Sequence, residues 1–184
     1  DNDGIFSGLL LKEAIIELGG CAAIFTPNRV MEGYGVNSRI VEEANARGAS
    51  VLLTCDNGIA AFEAIDEAKK LGMTVIVTDH HEVPFEEHDG KKIYILPKAD
   101  AIVDPKQEDC AYPFKSLCGT GVAYQLMTLL FRRMKRTMSH QEIFLQYTAI
   151  ATVADVMELV GENRILVRKG LSYLNHTNHT GLRA

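Results

Sequence analysis

The chain has 184 residues, of which 47% are hydrophobic and 23% charged, and its formal net charge is −5. This length and composition are typical of one globular domain with a sizeable core, and the acidic balance argues against general adhesion to nucleic acid. No apolar run reaches the roughly 18 residues of a membrane span, and neither a secretory signal nor a CxxC pair is visible.

The cysteine pattern bears on the compartment of the protein. The four cysteines are not arranged as a metal-binding or redox pair. Cys21 and Cys55 lie in apolar runs, which predicts reduced residues in the core. Reduced cysteines of this kind favour a cytoplasmic location.

Short apolar runs alternate with amphipathic helices over the first 105 residues. The predicted elements are the helix "IFSGLLLKEAIIELGG" (5–20), the strand "CAAIFT" (21–26), the helix "RIVEEANARG" (39–48), the strand "SVLLTC" (50–55), the helix "IAAFEAIDEAKKLG" (59–72), the strand "MTVIVT" (73–78) and the shorter strand "DAIVDP" (100–105). Gly19 and Gly72 are expected to end helices, and Asn37 or Ser38 to cap one. This alternation predicts an α/β fold with a parallel β-sheet and helices on both faces.

The composition becomes helical after Pro113. One helix is predicted for "LCGTGVAYQLMTLLFRRMKR" (117–136), and a second, "IFLQYTAIATVAD", ends at Asp155. Ser139 and Glu142 have the spacing of a capping box at the start of the second helix. The tail after Gly170 is polar and weakly patterned. We therefore predict one domain over 1–184, with a sheet part at 1–105 and a mainly helical part at 106–184.

Polar side chains with metal-binding chemistry follow the predicted strands. Ligands of open α/β sheets bind beyond the carboxyl ends of the strands. The candidates at strand or helix ends are Asp1, Asp3, Asp56, Asp79, His80, His81 and Asp155. Mixed aspartate and histidine ligands suit Mn²⁺ or Mg²⁺, and two such ions would clamp the attacking and leaving oxygens of a phosphoryl transfer.

Each candidate also has a simpler interpretation. An aspartate at a strand end, such as Asp56, is often only the cap of the next helix. "DHH" alone is more often a surface turn, and Asp155 alone is a helix-end carboxylate. The case for a site rests on all of these residues being expected at one edge of the sheet.

The motifs resemble those of a known superfamily. "DNDG" (1–4), "CDNG" (55–58), "DHH" (79–81) and "ATVADVMEL" (151–159) have the order and spacing of the four motifs of the DHH phosphoesterases. "TPNRVMEGYGVN" (26–37), "VDPKQEDCAYPFKSLCGTGVAYQL" (103–126) and "GENRILVRKGLSYL" (161–174) resemble the RecJ family of single-strand-specific DNA exonucleases. The resemblance covers essentially the whole chain. It implies 5′-to-3′ removal of nucleotides from single-stranded DNA with Mn²⁺ or Mg²⁺, in repair and recombination.

The resemblance also implies roles for individual residues. The metal ligands would be Asp1, Asp3, Asp56, His80 and Asp155. His81 matches a histidine that contacts the phosphate and stabilises its charge, and Asp79 is expected to orient its neighbours. The family usually has an aspartate two residues before the position of Asp1, and a further domain that closes over the substrate. The chain is therefore expected to be a catalytic-domain fragment with weak activity by itself.

Several residues have the chemistry needed to hold a single strand, which requires positive charge and aromatic stacking. The candidates are Arg29, Tyr34, Tyr112, Phe114, Lys115 and Arg164. The glycines of "CGTG", Gly119 and Gly121, are expected to let backbone N–H groups approach a phosphate at the start of a helix. Packing of the aromatic side chains within loops is the alternative. Helicases and single-strand-binding proteins are expected partners of the longer protein.

Three functions remain open from the sequence. The first is the two-metal DNA exonuclease. The second is another DHH phosphoesterase acting on short oligonucleotides, cyclic dinucleotides or pyrophosphate. The third is a catalytically silent nucleic-acid-binding scaffold. The "EGYG" and "YPFK" segments favour the first over the second, and the intact set of ligands argues against the third.

Overall fold

The computed structural model describes residues 1–183 and divides them into two units. The sheet unit comprises Phe25–Tyr112, and the helical unit comprises Asp1–Ile24 together with the chain from Pro113 onward. The first predicted helix therefore belongs with the later helices rather than with the sheet. A single domain over 1–184 stays a prediction.

The described residues form helices and short strands. In chain order, the helices are α1 (Asn2–Glu17), α2 (Arg29–Glu32), α3 (Ser38–Ala46), α4 (Phe62–Lys70), α5 (Gly119–Arg133), α6 (Gln141–Ala154), α7 (Gly161–Leu174) and α8 (Thr180–Arg183). The strands are β1 (Val51–Leu53), β2 (Thr74–Thr78), β3 (Phe85–His88), β4 (Lys91–Tyr94) and β5 (Ala101–Val103). Three of these strands form a parallel sheet in the order β1-β2-β5, which confirms the predicted parallel sheet.

The core of the sheet unit surrounds the central strand. Val75 and Val77 of β2 are fully buried and pack with apolar side chains of α3 and α4, among them Val41 and Ile65. The Asn37 side chain accepts a hydrogen bond from the Ile40 N–H at 3.0 Å and so caps α3, which makes Asn37 the cap of the two predicted candidates.

The helical unit is built on α1, α5, α6 and α7. α6 and α7 approach closely at Gly170, where a Cβ atom would lie 2.2 Å from the Leu145 carbonyl oxygen and 2.4 Å from the Ala149 Cβ. Only glycine fits this crossing without moving the backbone. None of the described helices has the length and apolar character needed to cross a bilayer.

The predicted strand at 21–26 is wrong. The segment has no regular structure, and Cys21 and Ile24 are exposed. A strand requires a neighbour for its backbone hydrogen bonds, and none of the described strands pairs with this segment. Cys21 is therefore not a core residue, and Cys55 is only half-buried.

Two elements were not predicted. β3 and β4 form an antiparallel hairpin around Asp89 and Gly90, both with positive φ (51° and 74°). The dipeptide Asp-Gly is a strong hairpin signal, but the flanking residues are too polar to be recognised as strands. α7 was also missed, although Leu166, Val167 and Gly170 are buried at helical spacing.

The predicted capping box of α6 is wrong. The helix begins at Gln141 with His140 at the cap position, and no side chain there caps it. The Ser139 hydroxyl donates instead to the Glu17 carboxylate at 2.7 Å. A tertiary contact has replaced the local one.

Candidate functional site

Three buried aspartates form a row across the carboxyl ends of the sheet. Leu53, Ile76 and Ala101 are aligned in the strand register. Asp56, Asp79 and Asp104 each follow these positions by three residues, and their exposed fractions are 3%, 1% and 1%.

Backbone hydrogen bonds continue the strand pairing beyond the ends of the strands. The Thr78 N–H donates to Thr54 O at 3.2 Å, and the Asp79 N–H donates to Val103 O at 3.1 Å. The sheet thereby holds a row of carboxylates at the edge where ligands of such folds bind.

Asp79 is the hydrogen-bonding centre of the "DHH" turn. Its Oδ2 accepts the Ile59 N–H at 2.9 Å, and its Oδ1 accepts the His80 N–H at 2.8 Å and lies 2.6 Å from His81 Nδ1. Burial by itself would raise the pKa of Asp79, but these hydrogen bonds hold it below its ordinary value. The anionic carboxylate thus fixes the backbone of the turn and the ring of His81.

Asp56, His80 and His81 form a group that could hold a metal ion. Asp56 Oδ1 lies 3.1 Å from His80 Nε2, and one ligand atom from each of the three residues lies within 4.8 Å of the others. Asp56 and His80 are buried, whereas the His81 side chain is 47% exposed. A carboxylate and imidazoles at this separation match the donor chemistry of Mn²⁺.

The backbone beside Asp56 is held in an unusual conformation. Asp56 has φ 58°, and Gly58 has φ 116° with Thr54 Oγ1 only 2.5 Å from where a Cβ would lie. A side chain at Gly58 would therefore collide with Thr54. The tight turn aims Asp56 at His80 instead of leaving it as a cap, since α4 begins only at Phe62.

Two predicted DNA-binding residues lie beside this group. The Tyr34 hydroxyl donates to Asp56 O at 2.9 Å, and its ring meets the His81 ring edge-on at a centroid distance of 6.2 Å. The Arg29 guanidinium lies 5.7 Å from the centroid of the Tyr34 ring. Both residues come from the loop and short helix before α3, so the sheet unit brings them to the edge that carries "DHH".

Asp104 was not predicted as a site residue. The signal was present, because "VDP" ends a strand on an aspartate just as "LLTCD" and "VIVTD" do. Burial raises the pKa of Asp104 to about 6, and the neighbouring Asp79 charge adds to this shift against the opposing Lys106 N–H and His80.

The raised pKa of Asp104 predicts a pH-dependent stability in the absence of metal. Above the folded-state pKa the buried charge is destabilising, so the contribution of this carboxyl group to stability is fully present below about pH 4 and is lost as the pH rises through about 6. The shift of about two units corresponds to about 3 kcal/mol. In EDTA, Asp104→Asn is expected to be more stable than the parent at pH 7.5 and to lose this dependence, as measured by urea unfolding. A variant with the parent's pH profile would contradict the expectation.

The two aspartates of "DNDG" are bound within the helical unit. Asp1 is exposed and caps α1, accepting the Gly4 N–H at 3.0 Å. Asp3 is 1% exposed, and its two carboxylate oxygens accept the backbone N–H groups of Gly119 at 2.6 Å and Thr120 at 2.7 Å. Asp3 therefore ties α1 to the start of α5, where the helix dipole favours a negative charge.

This arrangement corrects the expected phosphate contact at "CGTG". Gly119 and Gly121 are buried, and the Gly121 N–H donates to Cys118 Sγ at 3.3 Å. The anion at the start of α5 is the carboxylate of Asp3, so these N–H groups are already engaged and are not presented to a phosphate.

The remaining predicted residues occupy separate places. Asp155 is half-buried at the end of α6, where its N–H donates to Ala151 O at 2.8 Å. The Phe114 ring packs against Gly161, at the start of α7. Lys115 and Arg164 are exposed, and Tyr112 is half-buried at the end of the sheet unit.

The chain matches named relatives over nearly its whole length. It is 39% identical over 183 residues to the single-stranded-DNA-specific exonuclease RecJ of Bacillus subtilis (strain 168), covering 100% of this chain and 21% of the relative. It is 40% identical to the protein of the same name from Escherichia coli (strain K12), covering 94% of this chain and 30% of the relative. The chain thus spans less than a third of these relatives.

Solved structures resemble the fold. A crystal structure of exonuclease RecJ bound to manganese superposes with a TM-score of 0.82 at 31% identity, covering 100% of this chain and 44% of that one. RecJ from Thermus thermophilus in complex with Mn²⁺ gives a TM-score of 0.76 at 28% identity, covering 24% of that chain. The model of the DHH family, N-terminal domain, matches residues 1–152. With this match over most of its length, and with the "DHH" turn at the edge of a parallel sheet, the chain belongs to the DHH family.

Proposed function

We propose that the protein hydrolyses phosphodiester bonds of single-stranded DNA, removing nucleotides in the 5′-to-3′ direction with Mn²⁺ or Mg²⁺, in DNA repair and recombination. The observation that carries this proposal is the buried pair of Asp56 and His80 at the carboxyl edge of the sheet, with the half-exposed His81 beside it. The similarity to RecJ exonucleases supports the choice of substrate.

Asp56 and His80 of the sheet unit are proposed as metal ligands. Asp1, Asp3 and Asp155, which belong to the helical unit, stay proposed ligands on the strength of their sequence motifs. The buried carboxylate of Asp56 beside an imidazole nitrogen fits a divalent cation. When bound, two such ions supply Lewis acidity and orient the oxygens of an in-line displacement.

His81 is proposed to stabilise the phosphoryl group. Asp79 holds its Nδ1 at 2.6 Å, which sets the ring orientation and makes Nε2 the nitrogen that meets a phosphoryl oxygen. The half-exposed side chain is open to a substrate, in contrast to the buried ring of His80. A group lowers the activation barrier when it interacts more strongly with the charge of the transition state than with the bound substrate.

Tyr34 and Arg29 are proposed to contact the DNA beside the scissile bond. The Tyr34 ring is 55% exposed although its hydroxyl is anchored on Asp56 O. An anchored aromatic face with a guanidinium close by can stack a base and bind its phosphate. Tyr112, Phe114, Lys115 and Arg164 remain proposed contacts on the strength of their residue types.

The setting of the reaction is part of the same proposal. A cytoplasmic location fits the reduced cysteines, of which Cys118 is fully buried with its thiol pKa raised by that burial. Helicases and single-strand-binding proteins are proposed as partners, because both generate or cover the single strands that such an enzyme needs.

Binding of Mn²⁺ is expected to stabilise the chain. At about 100 times its Kd a ligand adds about 2.7 kcal/mol, which for a chain of this size raises Tm by roughly 5–10 °C. Asp56→Asn should abolish the shift, because it removes the buried carboxylate that faces His80. The matched control is Asp66→Asn, at a partly exposed aspartate of α4 that lies 3.8 Å from the Lys98 ammonium group; it should behave as the parent. An unchanged Tm of the parent in millimolar Mn²⁺ would remove the metal site.

The substrate is tested with the full-length protein. Labelled single-stranded DNA, duplex DNA, short oligoribonucleotides, a cyclic dinucleotide and pyrophosphate are compared at equal Mn²⁺. Single-stranded DNA is expected to be degraded fastest and from its 5′ end. Faster turnover of a short oligoribonucleotide or of pyrophosphate would replace the proposed substrate by that one, and binding of DNA without any cleavage would contradict an enzymatic role.

A further inference from the structure

One carboxylate oxygen of Asp104, at the edge of the sheet, takes no part in the contacts of the proposed site. Asp104 is 1% exposed, and its Oδ1 accepts the Lys106 N–H at 2.8 Å. Its Oδ2 is buried and has no hydrogen-bond partner among the described residues. A buried carboxylate oxygen without a donor is unfavourable, so a residue that keeps one usually has a reason.

The strand register places Asp104 beside the "DHH" turn. Asp104 and Asp79 occupy equivalent positions after β5 and β2, and the Asp79 N–H donates to the carbonyl oxygen of Val103, the residue before Asp104. His80 directly follows Asp79, so Asp104 follows the strand next to the one that leads into His80.

One nitrogen of the His80 ring, Nε2, is the proposed metal-ligand atom. Nε2 lies 3.1 Å from Asp56 Oδ1. In the metal-free protein this nitrogen therefore carries the hydrogen and donates a hydrogen bond to the carboxylate. A cation held by Asp56 and Nε2 requires the lone pair of Nε2. In the neutral ring the proton then resides on Nδ1 and needs an acceptor.

We infer that Asp104 is a positioning residue for His80, with Oδ2 accepting the Nδ1–H of the imidazole in the metal-bound protein. The inference rests on the proposed metal site. Metal binding then exchanges tautomers: a proton leaves Nε2, one is taken up at Nδ1, and the net protonation of the ring is unchanged. A carboxylate on the far nitrogen fixes the ring and makes Nε2 a stronger ligand.

Two substitutions separate this role from a structural one. Asp104→Asn keeps a side-chain oxygen that can accept Nδ1–H, whereas Asp104→Ala removes it. Mn²⁺ affinity is measured by calorimetry, and the His80 ring nitrogens are followed by ¹⁵N NMR with Mg²⁺, which is diamagnetic. Asp66→Ala, at the partly exposed aspartate of α4, serves as the control. The metal-free Tm of each variant is measured alongside.

The parent and Asp104→Asn are expected to show Nδ1–H on His80 when loaded with Mg²⁺. Asp104→Ala should bind Mn²⁺ about 10–100-fold more weakly, lack that signal and have a metal-free Tm no lower than that of the parent. Parent-like Mn²⁺ affinity and His80 signals in Asp104→Ala would overturn the inference and leave the metal site standing. A loss of affinity with a fallen Tm and an unchanged His80 tautomer would also overturn it. Failure of the parent to bind Mn²⁺ would overturn both this inference and the proposed function.

Discussion

His81→Ala is expected to lower the turnover of single-stranded DNA by about 10²–10³ while leaving the affinity for Mn²⁺ unchanged. Loss of one group that stabilises developing charge typically costs that much, equivalent to roughly 2.7–4 kcal/mol. The structure supports such a role because Asp79 orients the ring through Nδ1 and the side chain is half-exposed. The loss should persist at every Mn²⁺ concentration, since the ion cannot replace the imidazole.

His80→Ala is the informative comparison. Its buried ring faces Asp56, so its removal should weaken Mn²⁺ binding, and activity should partly return at high Mn²⁺. His88→Ala, at an exposed position of β3 where the side chain lies 3.2 Å from Glu86, is the matched control and should keep full activity. Turnover is assayed in the whole protein, and affinity by titration calorimetry. Loss of Mn²⁺ affinity in His81→Ala, with affinity kept in His80→Ala, would reverse the two roles.

Asp3→Ala is expected to destabilise the metal-free chain by roughly 3–6 kcal/mol. Two hydrogen bonds from the Gly119 and Thr120 N–H groups to the buried carboxylate are lost, and each bond to a charged group contributes about 1.5–3 kcal/mol. The N–H groups would stay buried without acceptors. For a chain of this size the fall in Tm should be on the order of 10 °C, measured in EDTA.

Asp1→Ala is the control for this expectation. Asp1 is exposed and caps α1 through a single bond to the Gly4 N–H, so its loss should cost only about 1 kcal/mol. Asp3→Asn should fall between the two, because its amide retains one acceptor. If Asp3 served solely as a metal ligand, its removal would relieve a buried charge in EDTA and Tm would not fall. An unchanged or raised Tm would therefore show that the contact with α5 contributes nothing to stability.

The local elements of the sheet unit were predictable because their signals lie within a few residues. The apolar run at 73–78, the cap at Asn37 and the positive φ of Gly72 each depend on neighbours in the sequence. The same reasoning failed at 21–26, where the apolar residues favour a strand but no described strand lies beside them. Propensity indicates what a segment can become, and pairing decides whether it does.

The residue types that form the site could also be predicted from the amino-acid sequence. Asp56 and the "DHH" turn follow buried strands of a parallel sheet, and the carboxyl ends of such strands share one edge. That argument required only the order of the elements. It identified the aspartate and histidines that the structure places within 4.8 Å of one another in the sheet unit.

The use of individual atoms in the site depends on tertiary packing. The register of β2 with β5 aligns Asp104 with Asp79, and a shift of one residue would have turned it away. Asp3 accepts hydrogen bonds from residues more than 115 positions further along the chain, which replaces the phosphate contact expected at Gly119 and Gly121. Hydrogen-bond partners so distant in sequence leave no periodic signal, because they are set by the packing of whole helices and strands. The order of residue types was therefore enough to identify Asp56 and the "DHH" turn, but Asp104 was recognised only from the packing, which also settled which atom of each residue meets which neighbour.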